Sequence, residues 1–204
     1  MRIYLFGEDG FTNITLANSL SILGFDVIGE TDNDVVALSS IKRHIPDAIL
    51  LNVDYRHLKA VELASSVRKL FPQMGIVLAT KSRDMRLIGL NKKELPIGIV
   101  ITQMVKHGDL DCLKEAMARS IQCVNCESEF HYCDFLSDCQ IETFRLMAEG
   151  NANSEIAKMR YVSEKSVEQM LARIAMTLGI SFDHKQNTRV RLMNSYFELV
   201  NGRK

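Results

Sequence analysis

The sequence predicts an α/β doubly wound five-stranded parallel sheet followed by an all-α four-helix domain containing a helix-turn-helix. Five short, nearly continuous apolar runs recur between residues 2 and 102, separated by amphipathic stretches. That alternation marks parallel strands covered on both faces by crossover helices. After about residue 136 the strand-like runs stop, and short helical segments with tight turns take their place. A chain of 204 residues, 47% apolar and 25% charged, is long enough for two small domains, each burying its own core.

The strands are expected at "RIYLF" (2–6), "DVIG" (26–29), "AILLN" (48–52), "GIVLAT" (75–80) and "IGIVIT" (97–102). Helices are expected between them at roughly 11–23, 33–44, 58–70, 83–91 and 109–122, with Gly24 stopping the first and Pro72 following the third. Residues 1–122 thus form the first domain, and 123–135, "CVNCESEFHYCDF", read as a linker. In the second domain, 136–204, "LSDCQIETFRLMAEG" opens with Ser137 and Gln140 three places on, a capping box, and ends at Gly150. "NSEIAKMRY" gives a short helix with Asn153 as its cap. "SEKSVEQMLARIAMTLG" gives a third, capped by Ser163 and stopped by Gly179, with Val167, Leu171, Ile174 and Leu178 on one apolar stripe. "NTRVRLMNSYFELV" gives a fourth, whose Leu192, Tyr196, Phe197 and Val200 suit either a dimer seam or the core.

Twenty-five basic residues balance twenty-five acidic ones, so no global field recruits nucleic acid or anionic membrane, and binding of either kind must come from a local patch. The opening "MRIYLFGEDGF" is too soon interrupted by acids for a signal peptide. No apolar run approaches the roughly 20 residues needed to span a bilayer. A cytoplasmic protein is expected, with no membrane partner. Five cysteines without a secretory signal argue against a disulfide framework.

In the second domain, Leu136-Ser137, "RLMAEG" (145–150), "NSEIA" (153–157), "VSEKSV" (162–167) and "LGIS" (178–181) form an ordered string of short motifs. Along most of residues 136–180 it resembles the LuxR-type helix-turn-helix. With five βα repeats ahead of it, the chain resembles a two-domain response regulator of the LuxR/FixJ (NarL) type. The resemblance implies a flavodoxin-like receiver domain that accepts a phosphoryl group and a DNA-binding domain that responds. The family's acidic pair after the first strand matches Glu8 and Asp9, and its hydroxyl after the fourth strand matches Thr80. The phosphoryl-accepting aspartate falls at Asn52, the lysine after the fifth strand at Thr102, and the aromatic switch position at Ile99.

These departures touch the chemistry itself. An amide cannot displace a leaving group from phosphorus as a carboxylate does, so no acyl phosphate is expected at Asn52. Thr102 lacks the cation that balances phosphate charge. Mg2+ prefers carboxylate oxygens, so the exchange at Asn52 leaves Glu8 and Asp9 with a weak residual hold on the ion and no other cofactor expected. Asp54 stands about two residues past the strand end, ~6–7 Å from the normal acceptor point at ~3.3 Å per residue, and reads as a solvated loop aspartate. The receiver-like domain is degenerate on this reading, and the chain is not an enzyme.

The recognition helix is expected at 164–178, with Lys165, Ser166, Glu168, Gln169, Ala172, Arg173 and Thr177 facing outward. Lys165 and Arg173 can reach phosphates or guanine edges, and Gln169 can pair with adenine in bidentate fashion. Glu168 stands where the family commonly carries Lys and repels phosphate unless it accepts a proton from cytosine. Residues 136–204 hold ten basic and eight acidic side chains, with Arg189, Arg191, Arg203 and Lys204 near the C-terminus. Monomer binding should therefore be weak, with homodimerisation on paired half-sites as the remedy.

The cysteines read Cys123-x2-Cys126-x4-His131-x-Cys133-x5-Cys139. Cys-x2-Cys is half of a structural zinc site, but the second half is irregular, so no metal is expected and the cluster reads as reduced linker thiols, with zinc or a redox role as the alternative. The sequence as a whole reads as a dimeric, promoter-binding transcription regulator controlled independently of aspartyl phosphorylation, its receiver-like domain free to bind a partner protein. The alternative is an interaction protein that pairs with another regulator without binding DNA itself.

Overall fold

The computed structural model describes residues 1–53, 58–82, 84–104, 111–126, 135–180 and 187–202. The chain divides into two compact units, one of Met1–Lys81 with Asn91–Phe130, the other of Ser82–Leu90 with His131–Lys204.

The first unit alternates β1 (Arg2–Gly7), α1 (Gly10–Ile22), β2 (Asp26–Thr31), α2 (Asp34–His44), β3 (Ala48–Val53), α3 (Leu58–Leu70), β4 (Gly75–Thr80), β5 (Ile99–Gln103) and α4 (Asp111–Gln122). The sheet is parallel throughout, in the order β2-β1-β3-β4-β5. Strand order reverses between β1 and β3, so the crevice beyond the carboxyl ends of these strands is where such a sheet places ligands. Ile3, Leu5, Leu50, Val77 and Val100 cluster with Leu16 and Leu20 of α1 and Met117 of α4 on one face. The alternate residues Tyr4, Phe6, Ile49, Leu51, Ile76 and Leu78 are buried toward the other face. There α2 and α3 bury Ala37, Ile41, Leu63 and Val67. Burial on both faces explains why β1, β3, β4 and β5 read as continuous apolar runs rather than as alternating ones, while the edge strand β2 is only partly buried.

The expected helix at 83–91 is not there. Among its described residues, Met85–Gly89 form turns, followed by a single 3-10 turn at Lys92–Glu94. The Asp84 carboxylate accepts the Arg86 amide proton at 2.9 Å, a local bond that competes with helix formation, and Gly89 adopts φ +82°. The segment Ser82–Leu90 belongs to the second unit rather than to the first. Met85, Leu87, Ile88 and Leu90 are buried, the Tyr196 hydroxyl donates to the Leu87 carbonyl, and Arg86 bonds the Leu136 carbonyl at 3.1 Å and Asp138 at 2.5 Å. Arg86 also pairs with the fully buried Asp84 at 2.7 Å; that bond, foremost, holds the guanidinium even more firmly protonated than usual. A division at 122/123 and 135/136 alone therefore misses this insertion. Residues 123–126, expected as linker, continue from α4 within the first unit.

In the second unit α5 (Asp138–Ala148), α6 (Asn153–Met159), α7 (Glu164–Thr177) and α8 (Thr188–Val200) follow. The capping box at Ser137 and Gln140 forms as expected. Asn153 does not cap α6: Ala152 holds the extended cap position without a side-chain bond, and the Asn153 side chain accepts from Arg189 at 2.8 Å instead. Tyr196 is fully buried, edge-on to Phe144 at 5.1 Å, and Leu192 and Val200 join the same core. Those three α8 residues thus complete the fold, while Phe197 stays partly exposed.

No helix among the described residues is long and apolar enough to cross a membrane.

Candidate functional site

Two places carry the residues singled out by the sequence, one in each unit. In the first, parallel register sets Asn52 beside Gly7 of β1 and Ala79 of β4, with Thr102 of β5 next to Ala79. Asn52, Thr80 and Thr102 are all buried, whereas Glu8 and Asp9 are exposed at the mouth. Register thus brings the expected pocket together. Ile99, where the resemblance places a switch residue, is buried in β5 with an aliphatic side chain. Asp54, His131, Cys133, Arg203 and Lys204 lie outside the described residues.

Asp9 serves as the N-cap of α1. One carboxylate oxygen accepts the Phe11 amide proton at 3.1 Å, and the other accepts the Thr12 hydroxyl proton. The Thr12 hydroxyl is the main reason its carboxyl is held below the usual aspartate range; backbone bonds from Phe11 and Thr12 and the Lys81 charge act in the same direction, against partial desolvation. A carboxylate held this way stays ionised, but its lone pairs are directed at the helix terminus.

Sequence reasoning missed Asn13. It is buried on α1, and its amide nitrogen donates to the Gly7 carbonyl at 2.7 Å and the Thr31 carbonyl at 3.4 Å, tying the ends of β1 and β2. A Cβ at position 7 would lie 2.4 Å from the Asn13 amide oxygen and 3.0 Å from Asn52 Cβ. Glycine is therefore required at position 7, wedged between two asparagines. The amide oxygens of Asn13 and Asn52 are both buried without a hydrogen-bond partner among the described residues. Burial of a polar residue inside an amphipathic helix leaves no periodic signal, which is why Asn13 was not legible.

In the second unit, Ser163 caps α7 by accepting the Ser166 amide proton at 3.1 Å, and Val167, Leu171 and Ile174 bury the inner stripe. Lys165, Ser166, Glu168, Gln169, Arg173 and Thr177 are all exposed, as expected. Lys165, Gln169 and Arg173 make no ion pair or side-chain hydrogen bond among the described residues, so their donors are available. Glu168 and Ala172 line, with Leu171, Thr188, Arg189 and Leu192, a cleft of about 220 Å³. The acid thus lines the same cleft as Arg189, whose guanidinium bonds Asn153 and the Asn151 carbonyl.

Among the described residues, several other basic side chains of this unit are engaged internally. Arg145 pairs with Glu149 at 2.5 Å, Lys158 with Glu155 at 2.8 Å and Arg160 with Glu142 at 3.4 Å. Arg189 bonds Asn153 and the Asn151 carbonyl, joining the start of α8 to the start of α6. Among the described residues, Lys165 and Arg173 of α7 thus stand as unpaired cations, which the modest net charge of the unit does not reveal. The turn before α7 holds a second unforeseen feature, Tyr161, which takes φ +55° and is 96% exposed.

No family model matches the chain. It is 24% identical over 166 residues to a Pseudomonas aeruginosa protein named as a transcriptional regulator, covering 76% of this chain and 80% of that one. It is 23% identical over 167 residues to BvgA of Bordetella pertussis, named as a positive transcription regulator of virulence factors, with the same coverage of 76% and 80%. The fold is similar to that of RcsB in a structure of two RcsB dimers bound to two parallel DNAs, with TM-score 0.54, 20% identity and 98% of both chains covered. A complex of the two-component response regulator RcsB with DNA gives TM-score 0.50, 20% identity and 98% of both chains. The likeness runs through both units, so the fold is a receiver-type α/β sheet followed by a helical helix-turn-helix domain.

Proposed function

We propose that this chain is a sequence-specific DNA-binding transcription regulator, that it acts as a homodimer on promoter DNA, and that its control is independent of aspartyl phosphorylation. The observation that carries the reading is the outer face of α7: a capped helix, buried on one stripe, that holds Lys165, Gln169 and Arg173 exposed and free among the described residues. Such a helix offers cations for phosphates and an amide for a base edge. The names of the relatives, transcription regulators, and the RcsB structures with DNA support the same reading.

Phosphorylation independence rests on Asn52, whose buried amide cannot form an acyl phosphate, and on Thr102, which brings no cation. The pocket does not fit a tightly held Mg2+. Glu8 is exposed, the Asp9 carboxylate is directed at the α1 terminus, and the third donor is neutral, which leaves at most weak residual binding.

The test is binding of purified protein to promoter fragments across a salt series. Specific complexes whose affinity falls with salt are expected, and Lys165→Ala should flatten the slope by roughly 0.9. Gln169→Ala should cost about 1–3 kcal/mol at a single base position. Absence of binding at low salt refutes the proposal and favours pairing with another regulator. Acetyl phosphate should not label the wild-type chain, whereas Asn52→Asp with Thr102→Lys should gain labelling; labelled wild type would refute independence.

A further inference from the structure

Helix α4 ends at Gln122, and the next four residues, Cys123-Val124-Asn125-Cys126, turn sharply. The Cys123 amide donates to the Arg119 carbonyl at 2.9 Å, which roots the turn on the last helical coil, and the Cys126 amide donates back to the Cys123 carbonyl at 3.1 Å. A turn closed this way brings the first and fourth Cα atoms within about 7 Å, overlapping the range a disulfide requires. The turn sets the two cysteines beside one another, and the neighbouring Cys123 thiol is the main cause that raises the Cys126 pKa.

The turn is also held from outside. The Gly98 amide donates to the Cys126 carbonyl at 3.1 Å, and Gly98, at φ +77°, approaches so closely that a Cβ there would lie 1.9 Å from the Val124 carbonyl oxygen. Val124 is buried, and Arg68 bonds the carbonyls of Ile97 and Gly98 at 3.1 Å each, fixing the opposing strand entry. The backbone around the pair is thus preset, while Cys123 is half-buried and Cys126 exposed to solvent. Two thiolates alone do not complete a zinc site, and no group of three ligating side chains is present among the described residues.

We propose that Cys123 and Cys126 are a reversible dithiol–disulfide pair that exchanges with small-molecule disulfides such as oxidised glutathione. One cysteine thiolate attacks a sulfur of oxidised glutathione, forms a mixed disulfide and releases one glutathione thiolate. The second cysteine, after losing its proton to water, displaces the other glutathione and closes the intramolecular bond. The chain loses two electrons and two protons, and one oxidised glutathione becomes two reduced ones. The turn lies at a helix C-terminus, where the dipole does not stabilise thiolates, so the pair should follow disulfide exchange rather than react rapidly with peroxide. This places a two-state chemical group in the same unit as the pocket that lacks its acceptor.

The test equilibrates the full chain in glutathione buffers from fully reduced to fully oxidised, traps free thiols by alkylation and maps them by peptide mass spectrometry. The expected result is concerted loss of alkylation at Cys123 and Cys126, with the mass of two hydrogens missing from the peptide that holds both, while Cys112 and Cys139 stay alkylated. Cys123→Ser and Cys126→Ser should each instead accumulate a glutathione adduct on the remaining thiol. The proposal is overturned if both thiols remain alkylated in the oxidising buffer, or if the bond formed joins either of them to Cys112, Cys133, Cys139 or a second chain. It is equally overturned if the purified protein carries stoichiometric zinc that Cys126→Ser removes.

Discussion

At the carboxyl ends of the strands the side chains of Asn52, Thr80 and Thr102 are buried and neutral, whereas on the outer face of α7 Lys165, Gln169 and Arg173 are exposed and polar. The contrast follows from what each place must satisfy. A buried pocket is part of the packing, and there Gly7, Asn13 and Asn52 interlock. An exposed face packs against nothing, so its residues are free to answer to a partner such as DNA alone.

The strongest way to break this comparison is to disturb the interlock. Gly7→Ala places a methyl group 2.4 Å from the Asn13 amide oxygen, so Asn13 must move and its bonds to the Gly7 and Thr31 carbonyls suffer. A loss of about 2 kcal/mol is expected, as for other overpacked sites. Urea unfolding of the full chain measures it. Adding Asn13→Ala should recover part of the loss, because the two changes share one contact. Unchanged stability in Gly7→Ala would mean that the pocket is loose enough to host a ligand rather than packed.

In the turn before α7, the corresponding change should act in the opposite direction. Tyr161 sits at φ +55° in the turn that leads to α7, a conformation that costs a residue bearing a Cβ roughly 1–2 kcal/mol. Its side chain is almost wholly exposed, so little packing repays that cost. Tyr161→Gly should raise stability by about 1 kcal/mol, part of the relief being lost to the greater freedom of glycine in the unfolded chain. A thermal melt that does not rise would show that the tyrosine makes compensating contacts.

Four of the five strands were legible because burial on both faces makes a parallel strand a continuous apolar run, and four of the five helices expected in the first domain followed from the spacing between such runs. The stretch at 83–91 was misread because amphipathic spacing survives there while Asp84 and Gly89 end the helix locally. Its place with the second unit depends on the Tyr196–Leu87 bond, a contact across more than a hundred residues that no local pattern encodes. In the pocket, motif order places Asn52, Thr80 and Thr102 at neighbouring strand ends, as the parallel register does. Asn13 was not legible, since it follows from burial, and the turn geometry of Cys123 and Cys126 was not, since spacing alone does not say which way a chain bends.

The smallest effect concerns Asp9, and it asks which role the carboxylate plays. Its folded pKa lies below its unfolded value, chiefly through the Thr12 hydroxyl. A group shifted in this direction contributes stability that is fully present above the unfolded pKa and is lost as pH falls through the folded one. Thr12→Val removes the largest cause and leaves the Phe11 amide bond in place. The variant should therefore be less stable than wild type at neutral pH, and the two should converge in acid, once the pH has fallen below the lowered folded pKa and the carboxylate is protonated in both states. Urea midpoints at the two pH values measure this. A gap that persists unchanged in acid would place the role of Thr12 in packing instead. Convergence would tie the Asp9 charge to the α1 terminus, the same charge that the resemblance assigns to a metal.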